Sequence, residues 1–207
     1  MSHCSKNKSG FTLIELLVSI TIVSIILGVL VWNQRSYTDT AALASLADDL
    51  SLTVSQAQAY GIAVRELTIG SSDFTASYGL TLSLLGTGSN SAYLFFADRN
   101  DNDYYDGAWT CPVGGASECL EKVNIPHSNY IDSICVVVIS GADQCNTASR
   151  IDILFVRPET EARMTFFNSS GGVFVPASMK GVRIVLKSPA GATRSVIVYK
   201  TGQISVQ

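Results

Sequence analysis

An apolar run near the N-terminus limits the possible folds more than any other part of this sequence. Residues 11–32 contain a single charge, Glu15. As a helix the run would be about 33 Å long, close to the roughly 30 Å hydrocarbon core of a bilayer. Residues 1–10 carry two lysines, and lysines are absent just after the run. The positive-inside rule therefore predicts that residues 1–10 face the cytoplasm and that the rest of the chain is exported.

Two ordinary membrane-entry segments fit this run less well. A secretory signal peptide has an apolar region of about 7–15 residues followed by small residues at its cleavage site. This run is longer, and the polar residues 33–35 follow it. An uncleaved signal anchor fits the length but does not explain Glu15, because an acid deep in a bilayer costs roughly 2.5–3.5 kcal/mol. Glu15 therefore indicates a function, and the alternative is an acid tolerated at the membrane interface.

The residues at the start of the run resemble a known signature. Residues 10–15 (GFTLIE), followed by the uncharged residues 16–29, are similar to the processing and methylation signature of type IV prepilins and type II secretion pseudopilins. The resemblance implies that a prepilin peptidase cuts between Gly10 and Phe11 and methylates the new amine of Phe11. It makes Glu15 the fifth residue of the mature protein, where the family has a glutamate. Ser9 is a departure, since many relatives have a basic residue there.

The chemistry of these residues agrees with that implication. Gly10 has no side chain, so a protease can approach the backbone closely. Cleavage after Gly10 removes both lysines and leaves an amine at the start of the helix. The Glu15 carboxylate can neutralise this amine, or that of a neighbouring subunit, which offsets part of the cost of burying both charges. We therefore expect Glu15 to direct assembly.

The helical pattern continues beyond the apolar run. Apolar or small residues recur at steps of three and four, which predicts a helix with one buried face: Leu43, Leu46, Leu50, Val54, Ala57, Gly61 and Val64. The predicted organisation is a leader at 1–10, a membrane-spanning and polymerisation helix at 11–33, its amphipathic continuation at 34–66, and an extracytoplasmic β-rich headpiece at 67–207.

The headpiece has the short apolar runs and turn residues that are typical of β-strands. The predicted strands are 67–69, 78–84, 92–97, 134–139, 151–156, 164–167, 182–187, 195–200 and 203–206, with a tight turn at 201–202. Since no long helical pattern separates them, we expect a mainly antiparallel sheet wrapped on the long helix. The fold class is α+β and resembles the pilin fold. Residues 46–64 loosely resemble minor pilins of the GspH/FimT type.

Four cysteines in the exported part predict disulfides. Three connectivities are open, and we favour Cys111–Cys119 with Cys135–Cys145 because short loops close most easily. Each bond would contribute roughly 2–3 kcal/mol. A zinc site is the weaker interpretation, because the spacings are wider than those of paired zinc ligands. Free thiols are the remaining alternative.

An acidic segment is a candidate calcium loop. Asp98, Asn100, Asn102 and Asp106 alternate along it, and the Tyr104 carbonyl could complete the oxygen set that Ca²⁺ requires. Some pseudopilins carry calcium loops of similar composition. The segment lacks the glycine and glutamate of an EF-hand, and the alternative is a plain solvated turn.

The C-terminal strands are cationic and suggest a second possible site. Arg183 and Lys187 share one strand face, as do Arg194 and Lys200, and some FimT-type minor pilins bind DNA. The alternative is that these charges protect edge strands from aggregation.

The sequence carries no motif of a catalytic site, and we expect no enzymatic activity. The first hypothesis is a pilin or minor pseudopilin of a type IV pilus, type II secretion or competence filament. Its partners would be other pilin subunits, the prepilin peptidase and an inner-membrane assembly platform. It would lie in the bacterial inner membrane and then in the filament. The alternative is a monomeric, signal-anchored extracytoplasmic β-domain that binds a ligand or DNA.

Overall fold

A computed structural model of the chain describes residues 10–63, 76–112 and 117–207, with the side chains of all of these except 32–36 and 146. It divides into two compact units, Met1–Thr38 and Asp39–Gln207. One helix, α1 (Leu13–Ile62), begins in the first unit and ends in the second. Within the first unit, Leu13–Val31 is long and apolar enough to cross a membrane, and none of it is buried.

In the second unit α1 buries the face that the sequence predicted. Leu43, Leu46, Leu50, Val54 and Ala57 are at most 3% exposed, which confirms the stripe over these residues. The polar residues between them, including Asp48 and Asp49, face solvent. The predicted stripe residue Val64 and the predicted strand 67–69 lie outside the described residues. The helix is therefore held by burial of one face.

Eleven strands follow the helix within the described residues. They are β1 (Ser77–Ser83), β2 (Ser89–Asp98), β3 (Cys119–Asn124), β4 (Tyr130–Val138), β5 (Gln144–Ala148), β6 (Arg150–Phe155), β7 (Ala162–Phe167), β8 (Val173–Phe174), β9 (Met179–Lys187), β10 (Thr193–Tyr199) and β11 (Ile204–Val206). They form a six-stranded sheet in the order β3-β2-β1-β6-β7-β8 and a five-stranded sheet in the order β11-β10-β9-β4-β5. All neighbouring strands in these sheets are antiparallel.

The expectation of one sheet was wrong. The chain passes from the six-stranded sheet to the five-stranded sheet after β3, returns after β5, and changes again after β8. Of the nine predicted strands, 67–69 lies outside the described residues and the remaining eight are present. The sequence analysis missed β3, β5 and β8. Each of these three is at the edge of a sheet, where fewer side chains are buried and the apolar pattern is weaker.

One core joins the helix to the inner faces of both sheets. The helical stripe packs with side chains such as Leu80 and Ile153 of the six-stranded sheet and Ile184 and Val198 of the five-stranded sheet. A smaller cluster lies on the other face of the six-stranded sheet, under the loop that joins β2 to β3. The fold is thus α+β and pilin-like, with an apolar N-terminal helix and an antiparallel β headpiece.

Candidate functional site

The predicted processing site lies in an open segment. Gly10 is exposed, and no described atom outside its own neighbourhood would come within 4 Å of a Cβ added there. Phe11 is 82% exposed. α1 begins two residues later, at Leu13. The peptide bond between Gly10 and Phe11 is therefore accessible, as cleavage would require.

Glu15 takes part in a capping box with Thr12. The Thr12 N–H donates to Glu15 Oε2 at 3.0 Å, the Thr12 hydroxyl donates to the same oxygen at 2.9 Å, and the Glu15 N–H donates to Thr12 Oγ1 at 3.4 Å. These bonds satisfy N–H groups that have no partner in the first turn of a helix. Glu15 thus has a local role that our sequence analysis missed, although the pattern Thr-x-x-Glu is its usual signature.

The acidic loop after β2 closes on itself through hydrogen bonds. Asp98 is buried and accepts the N–H groups of Asn102 at 3.3 Å and Asp103 at 2.9 Å. The side-chain amides of Asn100 and Asn102 both donate to Asp106 Oδ2, at 2.9 and 3.1 Å. Four of the predicted calcium ligands therefore lie in one loop. Their side chains are hydrogen-bonded to one another or to backbone N–H groups of that loop.

Glu118 joins this loop from the start of β3. It is 4% exposed and accepts the N–H groups of Arg99 at 3.3 Å and Asp106 at 3.2 Å. Burial raises the pKa of the Glu118 carboxyl to about 7, and the charges of Asp106 and Asp98 add to the shift, against these two backbone hydrogen bonds. The sequence analysis missed Glu118, because it is 12 residues from Asp106 and is placed there by the loop's return to β3.

A buried ion pair holds the middle of the loop on the sheet. Asp152 of β6 is fully buried, accepts the Tyr105 N–H at 2.8 Å and is paired with Arg150, which also donates to the Tyr105 carbonyl oxygen. Burial raises the pKa of Asp152, and the bonds and charge of Arg150 oppose that shift. Tyr105 itself lies in the smaller core cluster. Asp152 and Arg150 thus bind the backbone N–H and the backbone carbonyl of Tyr105.

The loop as arranged does not present a converged set of metal ligands. Among residues 10–63, 76–112 and 117–207, no group of three or more His, Cys, Asp or Glu side chains is placed to hold an ion. Asn102 Oδ1 accepts the Tyr104 N–H at 3.0 Å, so this predicted ligand is also engaged within the loop. Tyr104 packs its ring edge-on against Phe167. Calcium binding therefore stays a prediction.

Both disulfides are present in the favoured pairing. Cys111–Cys119 closes the acidic loop at the start of β3. Cys135–Cys145 joins β4 to the edge strand β5. The four cysteines are therefore structural crosslinks in this fold.

The four predicted DNA-binding cations do not form one patch. Arg183 pairs with Asp143 at 2.8 Å and Lys187 with Asp132 at 3.3 Å. Arg194 of β10 pairs with Leu186 of β9, and opposite residues point to the same face of a sheet. Because Leu186 and Lys187 are successive residues and point to opposite faces, Arg194 and Lys187 lie on different faces.

Lys200 is separated even from its predicted companion Arg194. It follows the end of β10, six residues from Arg194, which is about 20 Å along a strand. The register therefore places Arg183 and Lys187 on one face of the five-stranded sheet and Arg194 on the other, and Lys200 follows the end of β10.

Comparison with known proteins gives one result. Residues 5–31 match the prokaryotic N-terminal methylation motif. No curated protein and no solved structure matches the chain. The chain thus carries a type IV pilin-like prepilin signature, and this motif implies processing by a prepilin peptidase and assembly with other pilin subunits.

Proposed function

We propose that this chain is a structural subunit, a pilin or minor pseudopilin, of a type IV pilus, type II secretion or competence filament. Its leader is removed after Gly10, the amine of Phe11 is methylated, and the N-terminal helix enters the filament core. The headpiece remains outside the bacterial inner membrane. The assembly platform in that membrane extracts the subunit into the filament.

The observation that carries this proposal is the motif match at residues 5–31 over an exposed apolar helix. A helix that is apolar on all sides must be covered by lipid or by other helices. Glu15 is the one acid in this run, and the capping box holds it at the helix start. Its carboxylate accepts the N–H of Thr12, the residue after the amine that cleavage would create, which supports a pairing of the two charges.

Processing is tested by N-terminal sequencing of the chain extracted from membranes. The proposal expects a mature protein that begins at N-methylated Phe11. In a Gly10→Val variant, the β-branched side chain at the cleavage site should block processing, and the lysines of the leader should remain. A wild-type chain that still begins at Met1 or Ser2 would contradict the proposal and favour the signal-anchored monomer.

The role of Glu15 in assembly can be separated from its role in capping. Gln supports a capping box as Glu does, but it cannot neutralise an amine. The variant Glu15→Gln should therefore keep the helix start intact and lose incorporation into filaments. Glu15→Asp keeps the charge and is the matched control. Normal incorporation of Glu15→Gln would show that capping alone explains the acid.

The alternative function is a monomeric, signal-anchored domain that binds a ligand or DNA. A gel-shift assay with the full chain in detergent tests the DNA part, with charge reversal at Arg194 and Lys200 as the variant. Salt-sensitive binding that the reversal abolishes would favour this alternative. The separation of the four cations on the headpiece predicts no such shift.

Calcium binding by the acidic loop is a further part of the proposal. Support comes from the oxygen-bearing side chains that the loop gathers: Asp106 accepts the side-chain amides of Asn100 and Asn102, and Asp98 accepts two backbone N–H groups of the loop. Trp109 packs against the cluster beneath the loop and can report binding once Trp32 is replaced by Phe. Calcium, but not magnesium, should change its fluorescence and raise the unfolding temperature. Equal responses to both ions, or none, would refute the calcium prediction.

A further inference from the structure

One edge of the five-stranded sheet is closed by a short strand with few attachments. β5 pairs with β4 at two positions, Ile134 with Ala148 and Val136 with Gln144, and the register is irregular between them. The Cys135–Cys145 disulfide joins the two strands within this stretch. The crosslink is therefore a covalent attachment of β5 to the sheet, in addition to this short pairing.

β4, the neighbour of β5 in the sheet, has the composition of a segment that pairs with copies of itself. Residues 133–139 read SICVVVI, without charge or proline. Exposed edges of this kind pair readily with other chains, and proteins usually protect them with charged residues or a covering element. In this fold β5 is the covering element. Without it, β4 would be an unprotected apolar edge.

The segment that carries β5 is also held at its two ends by backbone hydrogen bonds outside the pairing with β4. On one side the Ile139 N–H donates to the Ser178 carbonyl at 3.0 Å, and on the other the Ser149 N–H donates to the Phe167 carbonyl at 2.8 Å. Between them, the Asp143–Arg183 pair is partly exposed, and ion pairs of that kind hold weakly. Cys145 is exposed, so a soluble dithiol can reach the bond.

We propose that the Cys135–Cys145 disulfide is a redox-sensitive guard of the β4 edge, and that its reduction releases β5 and lets β4 pair with β4 of a second copy. A dithiol reductant supplies two electrons and two protons. The bond between the two sulfurs breaks, thiols form on Cys135 and Cys145, and the reductant closes its own disulfide. This inference concerns the headpiece and does not depend on the filament function.

The second disulfide provides an internal control. Cys111–Cys119 lies at the start of β3, the edge strand of the other sheet. β3 pairs with β2 at five positions and carries Glu121 and Lys122. Breaking this bond should loosen the acidic loop and leave β3 in place, because the strand has more pairs and its own protecting charges.

The experiment compares Cys145→Ser with Cys111→Ser in the full chain in detergent, both in a Cys4→Ser background and each with its former partner cysteine also changed to Ser. No reductant is present, so each protein keeps the other disulfide. Amide hydrogen exchange of the β4 residues whose N–H groups face β5 should accelerate by about two orders of magnitude in Cys145→Ser, as expected for the loss of a crosslink over a loop of this size. The same amides should stay protected in an oxidised sample of the background protein. The amides that face β9 keep their pairing and should stay protected.

Sedimentation then measures pairing between copies. Without reductant, Cys145→Ser should form larger species than Cys111→Ser at the same concentration, although both carry the same membrane helix. Unchanged exchange in β4 would overturn the proposed guard. Open β4 amides in a chain that sediments like Cys111→Ser would overturn the proposed pairing.

Discussion

Gly61 of the helix lies directly against Phe155 at the end of β6. A Cβ placed on Gly61 would be 2.5 Å from the Phe155 carbonyl oxygen and 2.7 Å from its Cβ. Non-bonded carbon and oxygen atoms do not approach so closely without displacement. The helix and the six-stranded sheet therefore meet backbone to backbone at this point.

The first prediction follows from that contact. Gly61→Ala should destabilise the headpiece, because overpacking costs about 1–3 kcal/mol, whereas the gain in helix propensity near a helix end is less than about 1 kcal/mol. Thermal unfolding of the full chain in detergent measures the change. Gly28→Ala is the control, since a Cβ there meets no described atom within 4 Å. Stability equal to that of Gly28→Ala would contradict the packing argument.

The second prediction concerns the buried ion pair under the acidic loop. Arg150→Met leaves the Asp152 carboxylate buried without its partner, which should cost about 3–5 kcal/mol in the free energy of unfolding. Asp152→Asn combined with Arg150→Met removes both charges and should lose less than Arg150→Met alone. Denaturant unfolding of the three proteins at neutral pH provides the comparison. Equal losses in the single and double variants would show that the unpaired charge of Asp152 is not the cause of the loss.

The third prediction is a pH dependence that Glu118 causes. Its pKa in the folded protein is about 7, above the ordinary value near 4.5, so the folded state binds the extra proton between these two pH values. Stability from this group is fully present below about pH 4.5 and is lost as the pH rises through 7.

The unfolding temperature should therefore fall between pH 6 and pH 8 in a buffer with a chelator. Glu118→Gln should flatten this slope, because the amide does not titrate and still accepts a backbone N–H. An unchanged slope in Glu118→Gln would assign the effect to another group.

The fourth prediction concerns the capping box. Thr12→Val removes the side-chain oxygen that accepts the Glu15 N–H, and loss of such a cap costs about 0.5–2 kcal/mol of helix stability. Amide exchange at residues 13–16 should become faster. Thr21→Val is the control, because the Thr21 hydroxyl donates to the Leu17 carbonyl within the helix and does not cap the first turn. Similar exchange in both variants would argue against the cap.

Local pattern explains the elements that were predicted well. The stripe from Leu43 to Ala57 was readable because each buried position repeats with the period of a helix and packs on one core. The central strands β1, β4, β6 and β9 were readable because they bury side chains along most of their length. The edge strands β3, β5 and β8 could not be predicted, because polar sequences such as Gln144–Ala148 show little alternation of apolar and polar residues.

The candidate site shows the same division. Gly10, Phe11 and Glu15 lie within one short stretch of sequence, so the motif at residues 5–31 could be recognised without the structure. Glu118 reaches the acidic loop from the residue before β3 and Asp152 from β6, and nothing near them in sequence indicates that contact.

The sequence by itself determined the anchor, the buried face of the helix, the strand-rich headpiece and the favoured disulfide pairing, because each depends on neighbours or short loops along the chain. Only the tertiary structure decided that there are two sheets, which strands cover the edges, and that the cationic residues stand apart. The physical reason is that strand pairing and register select among contacts far apart in sequence, and their free energies depend on the whole core.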